Sequence, residues 1–221
     1  MKKLIYDNPL ACPTDIADFI LEGNEGALVT DFSSGHMQMK SGLPAELEQA
    51  ANYVFWCPEV FPENVEIEWD FSPLNDIGLC IVFFSATGSK GEDLFDPCLA
   101  PRVGHYGSYH SGDINAYHIS YCRRRYPEER AFRTCNLRKS YGFHLLDIAG
   151  DPLPNVADAT SPYHIKITKN KGVIDFSIND MPVLHADDSE TPWGGGRVGF
   201  RQMSPMVAEY ANFKVYELVE E

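Results

Sequence analysis

Positive charge is scarce in this 221-residue chain. Eighteen Lys and Arg stand against 32 Asp and Glu, for a formal net charge of −14 and a pI of about 4.8. So acidic a balance argues against nucleic acid or an anionic membrane as partner, because phosphate binding needs a basic footprint. Long apolar runs are missing as well; none approaches the roughly 20 residues of a transmembrane helix. The opening Met1-Lys2-Lys3-Leu4-Ile5-Tyr6 has the charge of a secretory leader, but Asp7, Asn8 and Pro9 interrupt any apolar core. The six cysteines (Cys12, Cys57, Cys80, Cys98, Cys122, Cys135) form no C-x-x-C pair and no zinc spacing. They read as reduced thiols of a cytoplasmic protein, and the absence of an Asn-x-Ser/Thr sequon agrees.

Several catalytic signatures are also absent. There is no G-x-S-x-G elbow and no dinucleotide or phosphate loop; Gly194-Gly195-Gly196 precedes a strand-like run and reads as a turn. Helical periodicity is nearly missing, with one short helical turn expected over 15–21. What is present is strand chemistry: period-two runs bounded by Gly, Pro, Asn and Asp at 27–30, 35–40, 51–57, 65–71, 78–85, 113–122, 131–138, 163–168, 173–178, 183–185, 197–203 and 208–216. A dozen short strands with no helix to cover them imply two sheets packed face to face, with under about a tenth of the residues helical. No repeat or linker divides the chain, so one all-β domain over 1–221 is expected.

The positive charge that exists is concentrated. Residues 110–144 hold three of the seven histidines and seven of the Lys/Arg, against only Asp113, Glu128 and Glu129, a local net charge of +4. Such a segment either builds internal ion pairs or captures an anionic ligand. Within it, alternation puts Ile114, Ala116, His118, Ser120 and Cys122 on one strand face and Asn115, Tyr117, Ile119 and Tyr121 on the other. A second strand at 132–138 puts Asn136 and Arg138 on one face, and the short connection allows a hairpin. In that register His118, Ser120, Asn136 and Arg138 meet on one surface; the plainer alternative is an ordinary solvated sheet face.

The order of elements in the C-terminal third resembles the end of concanavalin A-like jelly rolls: alternating strands, an Asn179-Asp180 turn, Gly196-Arg-Val-Gly-Phe200, and a closing Ala211-Asn-Phe-Lys-Val-Tyr216. More specifically, "AANYVFWCPEVFPENVEIEWDF", "GEDLFDPCLAPRVGHY", "HSGDINAYHISYCRR", "RTCNLRKSYGFHL" and "GFRQMSPMVAEYANFKVY" resemble the YesU-like family of bacterial proteins, from Tyr6 to Tyr216. The resemblance implies a concanavalin A-like jelly-roll sandwich of two antiparallel sheets and a link to carbohydrate use. It supplies no catalytic residues.

Three chemistries fit the residues. Retaining glycoside hydrolysis needs two carboxylates about 5 Å apart, and Glu66, Glu68 and Asp70 alternate along one strand, though a solvated strand face looks the same. β-Elimination on a uronate needs a cation or amide on the carboxylate and a base for the C5 proton. His118, Tyr121 and His144 are the candidate catalytic groups for it. Trp56, His110, Ser120, Arg124, Asn136, Arg138 and Gln202 are the candidate substrate-binding groups, with Trp56 as a sugar platform. The third is binding without reaction. The long 86–112 segment, with His105, Tyr106, Tyr109 and His110, is expected to form a functional rim. Asp93, Asp96, Asp113 and Asn115 have calcium-ligand chemistry but read better as turn and cap residues, so no metal and no cofactor is expected. The expected partner is a short acidic oligosaccharide, with a lyase or hydrolase favoured over a glycan-binding module. Nothing in the sequence excludes a homo-oligomer.

Overall fold

A computed structural model describes residues 1–219; positions 220 and 221 of the expected 1–221 domain lie outside the described residues. Fifteen strands are found among them: β1 (Lys2–Asn8), β2 (Ile20–Gly23), β3 (Val29–Asp31), β4 (Met37–Lys40), β5 (Tyr53–Trp56), β6 (Val65–Pro73), β7 (Leu79–Gly88), β8 (Ile114–Tyr121), β9 (Thr134–Ser140), β10 (His144–Gly150), β11 (Tyr163–Asn170), β12 (Val173–Ile178), β13 (Met181–Asp187), β14 (Arg197–Met203) and β15 (Val207–Leu218). One sheet has eight strands, ordered β13-β12-β11-β6-β15-β4-β3 with β1 also paired to β15; the other has seven, ordered β10-β9-β8-β7-β14-β5-β2. All pairings are antiparallel. Strands take 48% of the chain and helical turns 11%, marginally above the tenth expected.

Alternation explains the core. Val65, Ile67, Trp69 and Phe71 of β6 meet Tyr117, Ile119 and Tyr121 of β8 and Phe200 of β14 between the sheets. The opposite faces of the seven-stranded sheet's central strands do not all reach water. Val54 and Trp56, Leu79, Ile81 and Phe83, and Ile114 and Ala116 form a second apolar cluster on the outer face. The long connection between β7 and β8 covers it with Leu94, Phe95, Leu99, Tyr106 and Tyr109 and carries the short helix α1 (Gly107–His110). A buried ion pair pins this cover. Arg102 lies 2.7 Å from Glu22, which also accepts the Trp56 indole N–H at 3.0 Å.

Three expectations need correction. The segment 15–21 is not helical: a 3-10 turn, Pro13–Ile16, precedes β2, because Pro13 and Asp15 set up a turn that ends at once. Strands β1 and β10 went unread because both lie at sheet edges and show weak alternation. The hairpin connection between β8 and β9 contains a helix, α2 (Pro127–Ala131), with Pro127 at its start and the Glu129 carboxylate accepting the N–H groups of Arg125 and Tyr126. As the turn-and-cap reading expects, Asp93 and Asp96 accept the N–H groups of Phe95 and Cys98, and Asp113 that of Ala100.

Candidate functional site

Strand register builds the site. In β8–β9, His118 lies opposite Arg138, and Ser120 opposite Asn136, the pairing expected from alternation. The rows continue across the sheet, since His118 faces Phe83 and Ser120 faces Ile81, which faces Arg201 of β14. Above these rows, the β7–β8 cover and the β8–β9 connection leave one cavity of about 180 Å³. Ile81, Leu79 and Met203 line it together with Ser120 and Asn136, and Gln49, Tyr106, Phe143 and Arg138 stand beside Arg123, Tyr126 and Glu129.

Tyr106 is the central wall. Its Oη lies 2.8 Å from Nε2 of the fully buried His118. The Arg201 guanidinium stacks 5.2 Å from the Tyr106 ring centre and 5.6 Å from that of Tyr109. Arg201 is completely buried; it donates to Gly104 O at 2.6 Å and Gln49 Oε1 at 3.1 Å. That contact needs glycine at 104, because φ is +84° and a Cβ there would lie 2.1 Å from Asn52 O. Arg138 lies 4.0 Å over the Phe143 ring and donates to Phe143 O at 3.2 Å. Among the described residues neither Arg138 nor Arg201 has a carboxylate partner, whereas Arg123 is held by Glu129 at 2.9 Å. Three buried polar atoms beside the cavity have no partner: His118 Nδ1, Asn136 Oδ1 and Arg201 Nε.

Burial and positive charge set the protonation states. Burial, reinforced by Arg138, His110 and Arg201, pushes His118 down to about 3. Burial pushes Tyr106 up to about 12, against the pull of Arg201, Arg138 and Arg123. Burial lowers Arg201 to about 10 and it stays charged at neutral pH. At pH 7 the cavity wall therefore holds a neutral phenol, backed by a neutral imidazole, and a cation, Arg138, without a carboxylate partner among the described residues, with the charged Arg201 buried beside it.

The expected residues divide cleanly. Ser120, Asn136 and Arg138 line the cavity; His110 does not line it but packs on one of its walls, 4.5 Å from the Phe143 ring. His118 lies behind Tyr106 and meets the cavity only through it. The other assignments are corrected. Tyr121 points into the inter-sheet core against Trp69 and Phe71, as its alternation already required. Gln202 also faces the core, between the hydroxyls of Tyr53 and Tyr210; its neighbour Arg201 has the outward parity. Trp56 is on the outer face but fully buried under the loop, packed on Phe83, Phe95 and Tyr109. Arg124 is buried away from the cavity, bonded to Leu153 O at 2.6 Å. His144 pairs with Lys139 and so shares its face, opposite that of Arg138. Glu66, Glu68 and Asp70 lie on the outer face of the other sheet. Arg201, Arg123, Gln49, Tyr126, Glu129 and Phe143 were not foreseen; of these, only Arg201 had a readable signal, its shared parity with Gly199 and Met203.

The sequence model of a domain of unknown function (DUF1961) matches residues 3–215. The chain belongs to this family. It is 50% identical over 219 residues to the uncharacterized protein YesU of Bacillus subtilis (strain 168), covering 97% of this chain and 96% of that protein. A crystal structure of a Bacillus subtilis protein of unknown function with a galectin-like fold superposes with a TM-score of 0.91 at 48% identity, over 100% of both chains. The potassium-bound carbohydrate recognition domain of Emp46p superposes at 0.63, with 11% identity and 97% and 98% of the two chains covered. The DUF1961 domain is thus a lectin-like jelly-roll sandwich.

Proposed function

We propose that this protein binds a short acidic saccharide in the outer-face cavity of its seven-stranded sheet, and that recognition rather than bond cleavage is the primary activity. The observation that carries the reading is Arg138, a cation in the cavity wall with no carboxylate partner among the described residues, beside the unpartnered acceptor Asn136 Oδ1. Arg201, fully buried against Tyr106, adds a second cation without a carboxylate partner among the described residues next to the cavity. A cation held in a cavity wall without a counter-ion attracts an anion, and a bound carboxylate supplies what the chain does not. The saccharide part of the reading is supported by the fold, which a carbohydrate recognition domain shares. If the protein is cytoplasmic, as the reduced-thiol reading of its cysteines expects, the ligand is a short oligosaccharide rather than a polymer.

Of the two reactions, hydrolysis is the less supported. Glu129 is the one carboxylate lining the cavity, and it is committed to Arg123 and two backbone amides. Elimination is favoured by one observation, the Tyr106–His118 contact, since these are residue types that move protons. Against it, about 3 and about 12 are both far from neutrality, and an effective acid or base sits near the working pH.

Calorimetric titration with galacturonate oligosaccharides and their neutral galactose parents tests the reading. The acidic ligands should bind and the neutral ones should not. Arg138→Ala should weaken binding by about 2 kcal/mol, roughly 30-fold, the scale of a charge-assisted hydrogen bond. Equal affinity for acidic and neutral ligands would sink the proposal. Appearance of a C4=C5-unsaturated product in the same samples would move the protein to the lyases.

A further inference from the structure

The cavity has two unlike ends. Toward β9 it offers Arg138 and the unpartnered acceptor Asn136 Oδ1, itself buried at 5% exposure. Toward β14 its floor is apolar, made by Leu79, Ile81 and Met203, and its wall there includes Gln49. From Asn136 on β9 to Met203 on β14 is three strand spacings, roughly 14 Å, longer than a single hexose ring. Tyr126 stands on the wall beside this floor and is 42% exposed, with Arg125 lying 5.7 Å over its ring. Its backbone is fixed by the N–H bond to Glu129 that starts α2.

Resting on the acidic-saccharide reading, we infer that the cavity is a two-ring site. A uronate ring sits at Arg138 and Asn136, and a second ring lays its C–H face on Tyr126 and the Leu79–Ile81–Met203 floor. Tyr126 takes the platform role that burial denies to Trp56. Asn136 sharpens the acidic end. A carboxylate can turn both its oxygens to the Arg138 fork, whereas a sulfate ester has a third acceptor oxygen left to face Asn136 Oδ1; that lone acceptor matches a donor, so the group beside the anion is a sugar hydroxyl. The site thus selects a uronate over a sulfated sugar, and a disaccharide over a monosaccharide.

The probes are galacturonate, digalacturonate and galactose 6-sulfate, titrated calorimetrically against the wild-type chain, Tyr126→Ala, Tyr126→Trp and Arg138→Ala. On the wild type, digalacturonate should bind about tenfold tighter than galacturonate, the scale of one aromatic contact, and galactose 6-sulfate more weakly than either. Tyr126→Ala should bring the di- to monosaccharide affinity ratio close to one, and Tyr126→Trp should restore it. Arg138→Ala should weaken both uronates while keeping their ratio. If both uronates bind with dependence on Arg138 but the ratio is one in the wild type, or survives Tyr126→Ala, the two-ring inference falls and the acidic-saccharide reading stands. If galactose 6-sulfate binds as tightly as galacturonate, the role given to Asn136 is wrong. If no uronate binds the wild type, the underlying reading fails and takes the inference with it.

Discussion

The two sheets of this protein turn very different outer faces away from their common core. On the eight-stranded sheet, Glu66, Glu68 and Asp70 of β6 are matched by Lys2, which bonds Glu66, by His164, 3.0 Å from Asp70, and by Asn212, which donates to Asp70 at 2.7 Å. Burial raises the Glu68 carboxyl, helped by contact with Glu66, while the hydrogen bond from Lys2 takes Glu66 down in spite of its burial. On the seven-stranded sheet the outer face is roofed by the β7–β8 connection; Arg102 and Arg123 are paired there with Glu22 and Glu129, but Arg138 and Arg201 have no carboxylate partner among the described residues. The first face is neutralised by its own neighbours. The second is cationic and enclosed. Alternating polar residues mark both faces in sequence; only roofing and the lack of partners single out the one fit for an anion.

This contrast can be broken from several sides. The largest effect should come from the roof. Glu22→Ala leaves the buried Arg102 with only Asp113, 4.0 Å away, as counter-ion and frees the Trp56 indole N–H, so unfolding in urea should show a loss of about 3 kcal/mol. A loss below about 1 kcal/mol would mean that the roof is held by apolar packing alone.

Of similar size is a pH effect from His118. Its folded pKa of about 3 lies below its ordinary 6.5, so the unfolded chain takes up the proton first. The stability from keeping this ring neutral is complete above pH about 6.5 and is lost as pH falls toward 3. Between pH 7 and pH 4 it amounts to about 3 kcal/mol. Comparing urea curves at those two pH values, the wild type should lose that much more than His118→Gln; parallel losses would refute the buried neutral imidazole.

Smaller still is the stability effect of Arg138→Ala, because its cation makes no ion pair in the described structure. The unfolding free energy should change by no more than about 1 kcal/mol even though acidic ligand binding suffers. A variant that unfolds would recast Arg138 as a structural residue. Least of all is Lys2→Ala on the opposite face, which breaks half-exposed pairs with Glu66 and Glu68 and should cost under about 1 kcal/mol, an effect that fades with added salt. A larger, salt-insensitive loss would mean that the eight-stranded face is more than a solvated ladder.

Much of this was legible in the chain itself. The period-two runs specified an all-β sandwich, and the hairpin register around His118–Arg138 and Ser120–Asn136 followed from alternation, because a slip of one residue would have turned arginine and histidine into the core. The same rule, applied consistently, excludes Tyr121 and Gln202 from the outer face and selects Arg201. Those misplacements came from weighing residue type above parity.

Other features had no trace in local pattern. Trp56 has the correct parity for a platform, yet a loop dozens of residues away in sequence buries it. Tyr106 belongs to that loop, and its contact with His118 depends on where the Glu22–Arg102 pair anchors the cover. Gln49, Tyr126, Glu129 and Phe143 arrive from a 3-10 turn, a helix start and a hairpin tip. Their convergence follows from packing of distant segments, not from any period along the strand.

By itself the sequence determined which residues could share a sheet face, since side-chain direction in a strand is a local consequence of backbone geometry. Only the tertiary structure decided which of the two polar faces is roofed, which cations lack partners and which aromatic stays exposed. Those properties arise when loops and strands far apart in the chain exclude water together, and burial of that kind is written in no single segment.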